Sequence, residues 1–318
     1  MSDPRADGDP RAGSGPRAGS GPRGGGDPRA WPDIGAGARY LLVDVFTDRP
    51  LEGNQLAVFP EAGAYSSAQM QLLAREMNLS ETVFVLPREG DGDVRIRIFT
   101  PRRELPFAGH PVLGCAFVIG EALDRDAVEL ETGLGVIPVE LEREDGRIVW
   151  GRMQQAIPDW CPYGQERELL HALGVERSGL PVEAYRNGPL HVYVELDSEA
   201  AVSELRPDFA ALVDLGETAA NCFAGSGRRW KTRMFAPGAG VFEDPATGSA
   251  AGPLAIHLAR HGRVGFGEEI EIRQGAELGR PSVLHARADG SVSGIDRVEV
   301  GGSAVIVAQG EFRVPAWR

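Results

Sequence analysis

A single lysine, Lys231, stands among 318 residues, so any Schiff-base chemistry would have to pass through it. It lies in Arg228-Arg229-Trp230-Lys231-Thr232-Arg233, which reads as a solvated entry to a strand, and pyridoxal chemistry is not expected. Cysteine is as sparse. Cys115, Cys161 and Cys222 are too few and too scattered for a disulfide framework or a thiolate metal site, and read as reduced thiols of a cytoplasmic protein. No apolar run approaches the ~20 residues of a membrane span, and the N-terminus carries no signal-peptide core. Positive charge is short too: 33 Lys+Arg face 46 Asp+Glu, a net charge of -13, which argues against nucleic acid or an anionic membrane as partner. A nucleotide signal is missing. There is no Walker lysine motif, and the one G-x-G-x-x-G, Gly19 to Gly24, holds a proline and follows no strand.

What is present begins with length enough for two domains. Residues 1–36 stand apart: Pro4, Pro10, Pro16, Pro22 and Pro28 recur every six residues, each followed by Arg, in Gly/Ser/Asp filler. Such a segment has almost no apolar surface to offset its ordering entropy, and is expected to be disordered. Strands are predicted over 39–46, 54–59, 82–86 and 94–99 from β-branched and aromatic content and, in the last, strict alternation. A helix capped by Ser66 or Ser67 is predicted to run to Met77, and an apolar one from His110 to Leu123. Further strands reach Met153. The second half repeats the plan, with strands near 182–195, helices near 197–214, a strand over 230–236, a helix over 249–261 and closing strands.

The repeat is visible in the residues. Arg97-Ile98-Phe99-Thr100-Pro101 matches Arg233-Met234-Phe235-Ala236-Pro237, 136 residues on; Pro106-x-x-Gly109-His110 matches Pro245-x-x-Gly248-Ser249, 139 residues on. The reading is an α+β fold of two pseudo-symmetric halves, 37–155 and 156–318, with a cleft between them and the last strands free to pack on either half.

Each paired motif puts a glycine turn at a helix N-terminus, where unpaired N–H groups bind carboxylates. Two of them facing one cleft would grip a small acid and stabilise charge developing as it loses a proton. Acids and bases gather there. His110 and Ser249 hold equivalent positions, although Ser249 could be a simple N-cap and His110 a structural donor. Glu243 and Asp244 precede the second turn, where negative charge suits a helix start. Glu81 stands at the mouth of an apolar strand, where burial would raise its pKa into the range of a general base. His257 and His261 have the i, i+4 spacing of a zinc pair, but Leu258 replaces the zincin glutamate and His261-Gly262 reads as a helix end. No metal and no cofactor are expected.

Longer stretches carry a family likeness. Val43-Asp44-Val45-Phe46, Pro50-Leu51-Glu52-Gly53-Asn54, Glu76-Met77-Asn78-Leu79-Ser80-Glu81, Glu104-Leu105-Pro106-Phe107-Ala108-Gly109-His110-Pro111, Asn221-Cys222-Phe223, Glu243-Asp244-Pro245-Ala246-Thr247-Gly248-Ser249 and Gln274-Gly275 with Gly279-Arg280-Pro281-Ser282 resemble the phenazine-biosynthesis PhzF-like family, from about 39 to 315. The resemblance implies the diaminopimelate-epimerase fold, two curled sheets each around a central helix, in a cytoplasmic homodimer. It implies cofactor-free isomerisation of trans-2,3-dihydro-3-hydroxyanthranilate, a small cyclic amino acid, to an amino-ketone that condenses towards the phenazine tricycle. Glu81 resembles the proton-transferring glutamate, with His110, Asp244 and Ser249 as its catalytic partners. Asn54, Ser80, Gly109, Thr247 and Gly248 are then expected to bind substrate. The epimerases of this fold use two facing thiols; the matching positions here look like Ala108 and Thr247, which favours one base over two. Gln55 and the run Met153-Gln154-Gln155-Ala156 depart from the family's usual residues.

Overall fold

In a computed structural model that describes residues 37–313, the chain forms two curled sheets joined along one edge. The Pro-Arg repeat, expected to be disordered, lies outside the described residues. In spatial order the first sheet runs Ala304–Phe312, Ala38–Val45, Asn54–Phe59, Glu81–Leu86, Val94–Phe99, Ala127–Thr132, Gly135–Glu144 and Arg147–Gln155. The second runs Asp159–Pro162, Glu183–Arg186, Leu190–Glu195, Thr218–Ser226, Arg229–Ala236, Glu269–Gln274, Ser282–Ser291 and Gly294–Gly302. Both have the same succession of pairings: antiparallel, antiparallel, parallel, antiparallel, parallel, antiparallel, antiparallel. The last strand of the chain, Ala304–Phe312, pairs with the first, Ala38–Val45.

Each sheet wraps one helix. The first central helix, Gly109–Leu123, is buried from Gly109 to Gly120, and the second, Gly248–Arg260, from Gly248 to Ala259. Their sequences are apolar or small all round, which only a helix enclosed on every side can be. Pro253 interrupts the second. It has no N–H to offer the Ser249 carbonyl four residues back, and the Asn187 side chain donates to that oxygen instead, at 2.9 Å.

The repeated motif recurs as repeated side-chain bonds. Arg97 forks onto Glu104 (2.7 and 2.6 Å) and lies 5.1 Å over the Phe99 ring; Arg233 forks onto Glu243 (2.8 and 2.8 Å) and lies 4.9 Å over Phe235. Each pair ties a sheet strand to the short strand leading into its central helix. Lys231 is not solvated: its side chain is 13% exposed and pairs with Glu277 at 2.7 Å.

The helices that the sequence reading expects near 197–214 are Glu199–Glu204 and Phe209–Asp214, capped by Ser198 and Asp208; Pro207 disfavours helix at Arg206 and separates them. The helix Glu166–Leu173 and the strand Asp159–Pro162 have no counterpart in that reading. Among the described residues no helix is long and apolar enough to cross a membrane.

Arg280 pins the loop before Asn54. It pairs with Asp44 at 2.5 Å and donates to the carbonyls of Gly53 (2.9 Å) and Glu52 (2.6 Å). Asp44 is 1% exposed. Arg280→Met leaves that carboxylate buried without its cation, and should lower the unfolding free energy by about 3 kcal/mol; an unchanged urea midpoint would refute the assignment.

Candidate active site

The two central helices meet end to end. A Cβ added to Gly109 would fall 2.5 Å from the carbonyl carbon of Gly248, and one added to Gly248 would fall 3.0 Å from the His110 nitrogen. Only glycine allows this approach. Ala108 and Thr247 occupy the N-cap positions, and neither helix has a side-chain cap hydrogen bond. Two sets of helix-start N–H groups therefore border one cavity of 510 Å³, in the size range of small-molecule sites.

Glu81, His110, Asp244 and Ser249 all line this cavity, as do Gly109, Thr247 and Gly248. Asn54 and Ser80, expected to touch substrate, do not line it. They stand behind its wall. The Asn54 amide nitrogen donates to Asp244 Oδ1 at 2.8 Å and to the Ala246 carbonyl at 2.9 Å, and Ser80 donates to Asn54 Oδ1 at 3.2 Å. Both are positioning residues. Gln274 completes the brace, donating to the Asp244 carbonyl (2.8 Å) and to Thr247 Oγ1 (2.9 Å), while Thr247 donates to Asp244 Oδ2 at 2.7 Å. Gln155 braces the second helix start, donating to the Gly248 carbonyl at 2.9 Å. Glu243 is spent on Arg233 and belongs to the frame.

The electrostatics follow from burial. Glu81, with a side chain 14% exposed, is raised to about 8, first by loss of hydration and then by the nearby negative charge of Asp244. Asp244 is raised to about 6, again by burial, although Thr247 and Asn54 donate to it. Burial pushes His110 down to about 3, so its ring is neutral. The backbone of Gln55 accepts a hydrogen bond from His110. His110 Nε2 lies 3.5 Å from Glu81 Oε2, and its Nδ1 lies 3.3 Å from the Asn54 amide nitrogen. A carboxyl poised near neutrality can take up and return a proton.

On the opposite side the equivalent position is inert. With Phe99 matched to Phe235, the pairings Thr82–Phe99 and Ala220–Phe235 make Ala219 the counterpart of Glu81, and both line the cavity. An alanine carries no base. Next to it, the Thr218 hydroxyl donates to the Leu215 carbonyl at 3.0 Å and contacts the Tyr163 hydroxyl at 3.0 Å. Ala219 follows Glu81 by 138 residues, within the spacing of the repeated motif, so extending the repeat by one strand finds it. His191, which contacts Ser249 Oγ at 3.0 Å, has no such sequence signal. The cysteines offer no thiol pair: Cys115 and Cys222 are buried and pushed up to about 12 by that burial.

The histidine pair of the second helix gathers a third group. His257, His261 and Glu183 bring their ligand atoms within 4.8 Å of one another. Arg260 claims the same carboxylate at 2.7 Å, and Tyr185 donates to it at 2.9 Å. Burial alone would raise Glu183, but hydrogen bonds from His257, Arg260, His261 and Tyr185 hold it far below the usual carboxylate range. A guanidinium at this distance is a poor neighbour for a divalent cation. Exhaustive chelation is expected to leave turnover unchanged; activity lost with chelator and restored by zinc would make this a metal site.

Residues 43–310 match the model of the phenazine biosynthesis-like protein family, PhzC-PhzF. The chain is 54% identical over 272 residues to a trans-2,3-dihydro-3-hydroxyanthranilate isomerase of Pseudomonas aeruginosa, covering 86% of this chain and 98% of that one. Among solved structures it is similar to a predicted epimerase from the same organism (32% identity, TM-score 0.74, 87% of this chain and all of the other). A hydroxyproline epimerase of Agrobacterium vitis shares the fold at 13% identity (TM-score 0.61, 86% of this chain and 90% of the other). With a family model matched along nearly all of its described residues, the chain belongs to the PhzC-PhzF phenazine biosynthesis-like family.

Proposed function

We propose that this protein isomerises trans-2,3-dihydro-3-hydroxyanthranilate to an amino-ketone by carrying one proton across one face of the ring on Glu81. The substrate is a cyclohexadiene whose two double bonds are conjugated with its carboxylate, with the hydroxyl on the saturated carbon next to the far end of the diene. Removing the hydrogen from that carbon spreads the electron pair along the diene to the carbon bearing the carboxylate. Protonation there leaves an enol, which becomes the ketone, and the formula is unchanged. The two carbons are meta to each other, so one carboxylate over one ring face reaches both.

The observation that carries this reading is the asymmetry of the cavity: a titratable carboxyl at Glu81, and an alanine, Ala219, at the equivalent position of the other half. Helix-start N–H groups on either side suit the substrate carboxylate and the charge that builds on it. Leu105, Pro106, Leu190 and Met234 supply apolar wall for the ring. The test is incubation of purified protein with the dihydro-hydroxyanthranilate, following ultraviolet absorbance and mass. Substrate recovered unchanged would refute the reading. The reading includes a cytoplasmic homodimer, which sedimentation would check as a particle of twice the chain mass.

A pH profile follows. Glu81 acts first as a base, and with a pKa of about 8 only about a tenth of it is ionised at pH 7. The kcat/KM should therefore climb with pH through about 8 and level off above. The charge of Asp244 contributes to that elevation, so Asp244→Asn should move the midpoint to lower pH even as it lowers the plateau. A midpoint that stays put or rises in the variant would refute the coupling.

A further inference from the structure

Ser249 is fixed at two points from the second sheet. Asn187 donates to its carbonyl, the one that Pro253 leaves without a helical partner. His191, on the strand Leu190–Glu195, brings Nε2 to 3.0 Å from Ser249 Oγ. Both residues are deeply buried, His191 at 1% and Ser249 at 5% exposed, yet both border the cavity.

The direction of the His191–Ser249 bond can be worked out from the group behind it. The Asn221 side-chain nitrogen lies 2.8 Å from the Ala219 carbonyl. A carbonyl only accepts, so this atom is the amide nitrogen. The same nitrogen lies 3.4 Å from His191 Nδ1, and its second hydrogen makes Nδ1 an acceptor. The ring proton is then on Nε2, and His191 donates to Ser249 Oγ. Burial pushes His191 down to about 3, so the ring stays neutral and keeps this tautomer. With its oxygen already accepting from His191, Ser249 has its own hydrogen free to donate.

We propose that His191 is a positioning residue that turns the Ser249 hydroxyl into a fixed donor towards the carboxylate of the bound acid. This rests on the functional reading above and adds an orientation to it. Glu81 stands at one side of the cavity, and His191 relays a donor at the Ser249 side. The carboxylate is drawn to the donor end, and the ring is thereby placed under Glu81.

The test compares His191→Leu with His191→Gln. A Gln side chain can place an N–H near the Nε2 position, and Leu cannot. In His191→Leu the KM for the dihydro-hydroxyanthranilate should rise about 10- to 100-fold, the range for losing a hydrogen bond to a charged group, with a smaller fall in kcat. His191→Gln should recover most of the loss. In a Ser249→Ala background His191→Leu should add less than about 3-fold, because the hydroxyl it orients is gone. Equal losses in the Leu and Gln variants, or a His191→Leu effect undiminished in that background, would overturn the proposal. Calorimetric binding of 3-hydroxyanthranilate, an aromatic acid with nothing to isomerise, separates this from the function itself. If wild type binds it but turns over no substrate, the functional reading fails while the Leu/Gln contrast in Kd still decides the role of His191. If wild type binds neither acid, both fail.

Discussion

Glu81→Gln is expected to lower kcat by about 10²–10⁴-fold, the usual cost of losing a general acid–base group, while substrate affinity stays within a few-fold. Gln matches Glu in shape and hydrogen-bonding reach, so contacts with Ser80 and His110 can persist, but it cannot accept and return a proton. Glu81→Asp should keep part of the activity, since the base remains and sits back by one methylene. In deuterated water, early product of the wild-type enzyme should carry less deuterium at the new C–H than full exchange would give, because the cavity shields the carboxyl while it holds the proton. The same substitution has a signed effect on stability. A carboxyl whose pKa rises from 4.5 to about 8 on folding costs nothing below pH 4.5 and progressively destabilises the fold between 4.5 and 8, with a constant cost above. Gln at position 81 should therefore melt closer to, or above, wild type as pH rises through that window. A Gln variant with near-normal turnover would pass the role of base to Asp244 or His110.

Much of this site was legible because its chemistry is local in sequence. The turns at Gly109 and Gly248 announce themselves as a repeated motif, and Glu81 as a carboxylate at the mouth of an apolar strand. Helix starts and strand ends need only short-range pattern. The supporting groups were not legible, because each reaches its target across the fold. Asn54 meets Asp244 over a sequence separation of 190 residues, and His191 meets Ser249 over 58. Composition could not say that Asn54 would brace a carboxylate from behind the wall. Lys231 was misread for a similar reason: its run of arginines looks solvated, and its partner Glu277 comes from a separate turn. What the repeat did contain, unexploited, was Ala219 at the place of Glu81. That one equivalence carries the case for a single base.

Gly109→Ala should place a damaging methyl group where the two central helices meet. The added carbon would lie 2.5 Å from the carbonyl carbon of Gly248 and 2.8 Å from its Cα. These are backbone atoms at the start of a buried helix and cannot rotate aside. Relief requires the two central helices to part, and each is packed on every side by its own sheet, so the strain should cost about 1–3 kcal/mol of stability. Activity should suffer more than stability. The helix starts and Glu81 must hold one small acid between them, and a displacement of about 1 Å in such a site can cost 10²-fold in rate. Gly248→Ala should be milder, since its methyl would meet the Phe46 ring at 2.9 Å and the His110 nitrogen at 3.0 Å, and one of these neighbours is a side chain. The check is kcat/KM beside a thermal melt for both variants. A folded Gly109→Ala protein with wild-type kcat/KM would mean that the helix ends can separate without consequence, and the grip of two opposed N-termini on the acid would have to be abandoned.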